Sequence, residues 1–240
     1  KQWYLDAFLA VGVFVCVFGI TDYFQMDILG FKVNMMDTQK SIYTSTFGNI
    51  NTYTIYVAAL LAISMILFTQ EKNQKRMFWY YGNMILTSFA LIMGSSDNAY
   101  LSLAAIFGLA PLWLFQTKTG LRRYVISLAT FFTVILCING INKAYAASVL
   151  GIDSAFNLIA GTKFLPVLVV LLWVIAVVLI FMNRKPQALM NRTTDDSMNK
   201  IAVYIWIGVI AVVCLAVIFV LYDANLGGHA DKYGAFSSYV

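Results

Sequence analysis

Two short polar stretches hold the side chains best suited to chemistry. The first, Ser45-Thr46-Phe47-Gly48-Asn49-Ile50-Asn51-Thr52-Tyr53, sets hydroxyls, two carboxamides and a glycine directly ahead of a long apolar run. The second is Met93-Gly94-Ser95-Ser96-Asp97-Asn98-Ala99-Tyr100-Leu101. At a helix start, the first reads as a cap in which Asn51 or Thr52 accepts from backbone N–H groups and Gly48 relieves a tight turn. It reads equally as a ledge where the helix dipole and backbone donors hold an anion or sugar hydroxyls. The binding candidates are therefore Lys40, Ser45, Thr46, Asn49, Asn51, Ser95, Ser96 and Tyr100. Asp97 is either a solvated turn residue or an acceptor for sugar hydroxyls and a general base. Tyr100 is either an interfacial anchor or a stacking platform for sugar. His229, in Gly227-Gly228-His229-Ala230-Asp231, is either a surface residue or a second candidate base.

The elements that must position these groups are membrane helices. Hydrophobic residues make up 61% of the 240 and charged ones 11%, with a mean hydropathy of +0.78, outside the balance of a water-soluble domain. A bilayer core of about 30 Å takes roughly 20 apolar residues per helix. On that measure the chain divides into an all-α bundle of seven spans, at about 4–24, 53–69, 78–94, 99–115, 124–141, 164–182 and 201–222. Six of the seven lack Asp, Glu, Lys and Arg; the first carries Asp6 and Asp22 near its ends, where a charge costs least. With basic loops retained in the cytoplasm, Lys1, Lys72, Lys75, Arg76, Lys118, Arg122, Arg123, Arg184, Lys185, Arg192 and Lys200 fall inside and Lys32, Lys40, Lys143, Lys163 and Lys232 outside. The N-terminus is expected inside and the C-terminus outside.

Three connectors are expected outside the spans' outer ends: 25–52, too apolar for a free loop and expected to lie on the membrane or fold back; 142–163, an interfacial amphipathic helix; and 223–240. The inner connector 183–200 is the most polar stretch and the natural hinge. Pro111 removes a backbone donor within the fourth span and predicts a kink that neighbouring helices must accommodate. The net charge of +5 follows from topology and lipid contact and indicates no nucleic-acid partner. Cys16, Cys137 and Cys214 read as packing residues within spans, and no phosphate-binding loop, dinucleotide fingerprint, metal-ligand pair or nucleophile elbow is present. No cofactor and no metal are expected. Without an initiator Met or a signal peptide, the chain reads as a piece of something longer.

The stretch Ser45 to Asn51 resembles the threonine-phenylalanine-glycine-asparagine-x-asparagine signature of the O-antigen ligase and polymerase family. Residues Met93 to Leu101 resemble that family's serine-rich external turn. The likeness covers roughly residues 38–115. It implies a metal-independent, multi-pass glycosyltransferase of the bacterial cytoplasmic membrane. Such an enzyme moves saccharide from an undecaprenyl-pyrophosphate carrier to an acceptor glycan, alongside lipids and polysaccharide-assembly proteins. The family often places arginines where this chain has Ile42 and Asp97, and Lys40 would stand in as a point charge without a guanidinium's fork. The resemblance also implies a histidine base in the segment after the last span, where His229 lies. A transporter or flippase, and a non-catalytic assembly subunit, are the competing readings; charge-free spans speak against ion coupling.

Overall fold

A computed structural model describes residues 2–40, 44–182 and 192–228. Its elements are α1 (Gln2–Tyr23), α2 (Asp37–Lys40), a 3₁₀ turn (Ser45–Phe47), α3 (Ile50–Gln70), α4 (Gln74–Met93), α5 (Asn98–Leu114), α6 (Lys118–Ala144), α7 (Ser154–Gly161), α8 (Phe164–Met182) and α9 (Arg192–Asn225). The described residues contain no strand. Each predicted span falls on a helix. Five helices are long and apolar enough to cross a membrane: α1, α3, α6, α8 and α9. The other two differ for physical reasons. Helix α5 is apolar but has 17 residues, and α4 opens on Gln74, Lys75 and Arg76 and carries Asn83. Helix α4 packs against α1, α3 and α6, so protein surrounds its Asn83, Thr87 and Ser88, whereas Gln74, Lys75 and Arg76 at its start stay exposed.

Two expectations about connectors need correction. Residues 142–163 are not one amphipathic helix: α6 continues to Ala144, a turn follows, and α7 has only eight residues. At 27 residues α6 is about 40 Å long, so it outruns a hydrocarbon core and carries Asn139 and Asn142 to the end of the bundle. The hinge expected at 183–200 is half helix, because α9 begins at Arg192; residues 183–191 lie outside the described residues.

Helix α3 lies at the heart of the bundle, packed against α1, α4, α5 and α6. Its partner face on α1 is a stripe at alternating spacings of three and four, Leu9, Gly12, Cys16, Gly19 and Tyr23, all buried. The two glycines are there for close approach. A methyl group on Gly19 would overlap the hydroxyl and ring of Tyr53, with Cε2 at 2.7 Å, and one on Gly12 would lie 2.6 Å from Leu60 Cδ1. Helices in lipid gain no hydrophobic drive from meeting, so such contact is a main source of their attraction.

The helix containing Pro111 runs on without interruption. Pro111 lacks the N–H that would serve the Phe107 carbonyl, and the Tyr124 hydroxyl of α6 donates to that oxygen instead, at 2.7 Å. One residue on, Trp206 of α9 donates Nε1 to the Gly108 carbonyl at 2.7 Å. At the end remote from the ledge, Arg123 donates to the carbonyls of Phe68 and Glu71 at 2.7 and 2.6 Å, capping the negative end of α3. There Tyr80 also donates to Asp6 at 2.8 Å, giving that charge a partner.

Gly19→Ala is expected to destabilise the protein by about 1–3 kcal/mol through overpacking. Tyr53→Phe should not rescue it, because the ring itself is in the way. Gly140→Ala, with nothing within 4 Å of the added methyl, should be neutral or stabilising. Thermal unfolding in detergent reads all three.

Candidate functional site

The ledge is built around Asn49. Its backbone is extended (φ −145°, ψ 125°), and its side-chain oxygen accepts from the N–H groups of Asn51 at 2.9 Å and Thr52 at 3.1 Å. Asn49, not Asn51 or Thr52, is therefore the cap of α3, and this frees the Asn51 carboxamide for another use. Gly48 (φ 65°) turns the chain from the 3₁₀ segment into the cap, in a backbone region a side chain disfavours.

Asn51 spends that freedom on the second polar stretch. Its Oδ1 accepts from Ser96 Oγ at 2.9 Å and from Asn98 Nδ2 at 3.0 Å. The two stretches, some 45 residues apart in the chain, thus form one continuous polar surface between the N-termini of α3 and α5. Thr46, Asn49, Asn51, Thr52, Asp97 and Asn98 are exposed on it, whereas Ser45 and Ser96 are buried beneath. Asp97 precedes α5 without making a side-chain cap hydrogen bond.

The remaining candidates hold the surface in place. Ser45 donates its N–H to Asp22 Oδ2 at 2.6 Å and its hydroxyl to the Val15 carbonyl at 2.9 Å, fixing the 3₁₀ turn to α1. Ser95 donates to the Gly151 carbonyl at 3.1 Å. Tyr100 donates its hydroxyl to Asp153, the cap residue of α7, and its ring lies 5.1 Å from that of Phe156. Tyr100 is thus engaged with α7 instead of standing clear as a stacking platform. Lys40 lines a cavity with Asp22 and Lys32. His229 and Ile42 lie outside the described residues.

Sequence reasoning missed Asn98, Asp22, Lys32 and Asp153. Asn98 could have been found, since it closes the same serine-rich turn; the others gain their roles only when distant segments meet. Backbone strain marks the same region. Among the described residues, the non-glycine residues with positive φ are Gln25 (57°), Ser45 (53°) and Ser95 (47°), and all three belong to this end of the bundle. Such conformations cost on the order of 1–3 kcal/mol each and gather at functional sites. Among the described residues no group of His, Cys, Asp and Glu is placed to hold a metal ion.

Comparison of the chain with family models, with curated proteins and with solved structures gives no match.

Replacing the cap should separate its two functions. Asn49→Ala is expected to cost about 0.5–2 kcal/mol, and Asn49→Asp, which keeps the acceptor, should retain stability. Thermal unfolding of the two variants beside the parent checks this.

Proposed function

We propose that this chain is the membrane portion of a bacterial polysaccharide polymerase or ligase, with polymerase preferred. It would transfer saccharide from undecaprenyl pyrophosphate to an acceptor glycan at the outer face of the cytoplasmic membrane. One observation carries the reading: Asn51 of the first motif-like stretch accepts hydrogen bonds from Ser96 and Asn98 of the second. The two segments that separately resemble the family's signatures meet as a single surface, as parts of one site must.

In this proposal all seven helices span the membrane, with the N-terminus inside and the ledge outside. Supporting that orientation, Lys72, Lys75, Arg76, Lys118, Arg122 and Arg123 lie in or beside the turns remote from the ledge. The positive end of α3 faces the carrier's pyrophosphate, and the carboxamides of Asn49 and Asn51 engage oxygens of the phosphate or sugar. The acceptor hydroxyl oxygen bonds to the anomeric carbon as the bond from that carbon to the phosphate oxygen breaks. The electron pair leaves with undecaprenyl pyrophosphate, and the hydroxyl proton passes to a base, for which Asp97 is the candidate beside Ser96 and Asn98.

The test uses full-length protein in proteoliposomes with undecaprenyl-pyrophosphate oligosaccharide, products being resolved by length. The parent should yield lengthened glycan, and Asn51→Ala should lower the yield at least tenfold. Asn49→Asp should fold and still lose transfer, because it removes the side-chain NH₂ that donates to the pyrophosphate oxygens. A folded parent that lengthens no glycan across several donor types would overturn the reading.

A further inference from the structure

The segment that follows α1 arranges its side chains the wrong way round for a loop in water. Residues 25–36 read Gln-Met-Asp-Ile-Leu-Gly-Phe-Lys-Val-Asn-Met-Met and hold two charges. Both are engaged within the chain. The Lys32 ammonium lies 2.8 Å from Asp22 Oδ1, with its side chain 15% exposed, and Asp27 Oδ2 accepts the Lys32 N–H at 2.8 Å. The apolar side chains turn away from the protein instead: Met26, Ile28, Leu29, Val33 and Met36 are 56–73% exposed. A loop in water hides such groups and shows its charges, and a cluster of exposed apolar side chains marks an interaction surface.

The position of the segment says what that surface meets. Helix α1 has 22 residues, about 33 Å, and is apolar enough to cross a membrane. After its end the chain does not run on outward. Gly30, at φ 69°, closes a turn in which its N–H donates to the Asp27 carbonyl at 3.2 Å. The ring of Phe31 then stands edge-on to that of Phe18, with centroids 6.0 Å apart. Phe18 lies five residues, about 7.5 Å, before the end of α1. The segment therefore dips back along the flank of a membrane span, a surface that lipid bathes. Its backbone suits that setting, because the N–H groups of Gln25, Met26, Gly30, Lys32 and Met35 all have acceptors within the segment or on α1.

We infer that residues 26–36 form a lipid-binding wedge, with Met26, Ile28, Leu29, Val33 and Met36 inserted into the interfacial layer of the leaflet on the ledge side. That layer accepts apolar side chains carried on a backbone whose polar groups are met locally. The wedge is tied to the ledge through Asp22, which holds Lys32 with one oxygen and the Ser45 N–H with the other. The leaflet that grips the wedge thus holds the ledge at its surface. The inference needs only that α1 spans a membrane; it is independent of the orientation and of the transfer reaction proposed above.

The experiment places single bimane labels on the full chain carrying Cys137→Ala and Cys214→Ala, one protein to a nanodisc; Cys16 is buried and stays. The labelled variants are Ile28→Cys and Val33→Cys in the wedge and Lys72→Cys, in the exposed turn between α3 and α4, as the water-facing reference. Leu29→Cys replaces either wedge position if its label alters thermal unfolding. Phospholipid brominated on the upper acyl chain should quench the wedge labels at least threefold more than the Lys72→Cys label, and aqueous iodide should do the opposite. Iodide quenching of the wedge labels equal to that of the reference would overturn the inference by placing the segment in water. Shielding from both quenchers would overturn it too, by placing a protein surface where the lipid should be.

Discussion

A buried carboxylate at the end of a membrane helix must find partners, and the arrangement of the whole ledge end follows from how Asp22 does so. One oxygen takes the Lys32 ammonium and the other takes the Ser45 N–H. An unpartnered charge there would cost several kcal/mol, so the pairing is a strong constraint on the chain. It holds Lys32, in the segment that follows α1, and Ser45, ahead of α3, against the end of α1. This anchoring delivers Ser45 to its strained turn, and the turn delivers Asn49 to the head of α3. The cleft beside Asp22 and the polar surface beyond Ser45 both depend on that one carboxylate.

Within the bundle the same rule of satisfied polar groups shapes the packing. Lipid offers no water to a stray carbonyl, so the Phe107 oxygen that Pro111 leaves unserved is met by Tyr124. The end of α3 that would expose carbonyls is met by Arg123. Gly12 and Gly19 let α1 close onto α3, bringing Tyr53 beneath the ledge and fixing the height at which Asn49 and Asn51 emerge. Backbone chemistry and close contact, more than hydrophobic exclusion, set the geometry of the polar surface.

The helices were legible in the sequence because the bilayer imposes a simple rule on length and polarity, and each predicted span coincides with a helix. The limits of that rule appear at α4. Its polar start and Asn83 lower its hydropathy; the start stays exposed, and neighbouring helices bury Asn83. The ledge was legible as a cluster of residue types, but not in its wiring. Asn49 and Asn51 could each have been the cap by type, and only the extended backbone at Asn49 decides between them. The roles of Asp22, Lys32 and Asp153 depend on segments brought together from far along the chain, which periodicity does not encode. The short α7 was overextended in the sequence reading because residues 142–144 belong to α6, which is longer than a hydrocarbon core, and a turn separates the two helices.

The account stands on residues 45–53 and 94–98 forming one surface that faces outward. The most direct measurement pairs Asn51→Cys with Asn98→Cys in a background carrying Cys137→Ala and Cys214→Ala, and treats intact spheroplasts with a short, membrane-impermeant thiol cross-linker. The account predicts a cross-link within the chain, formed from outside and blocked by prior treatment with an impermeant maleimide. Cysteines that react only after the membrane is opened, or that react singly and never join, would contradict it.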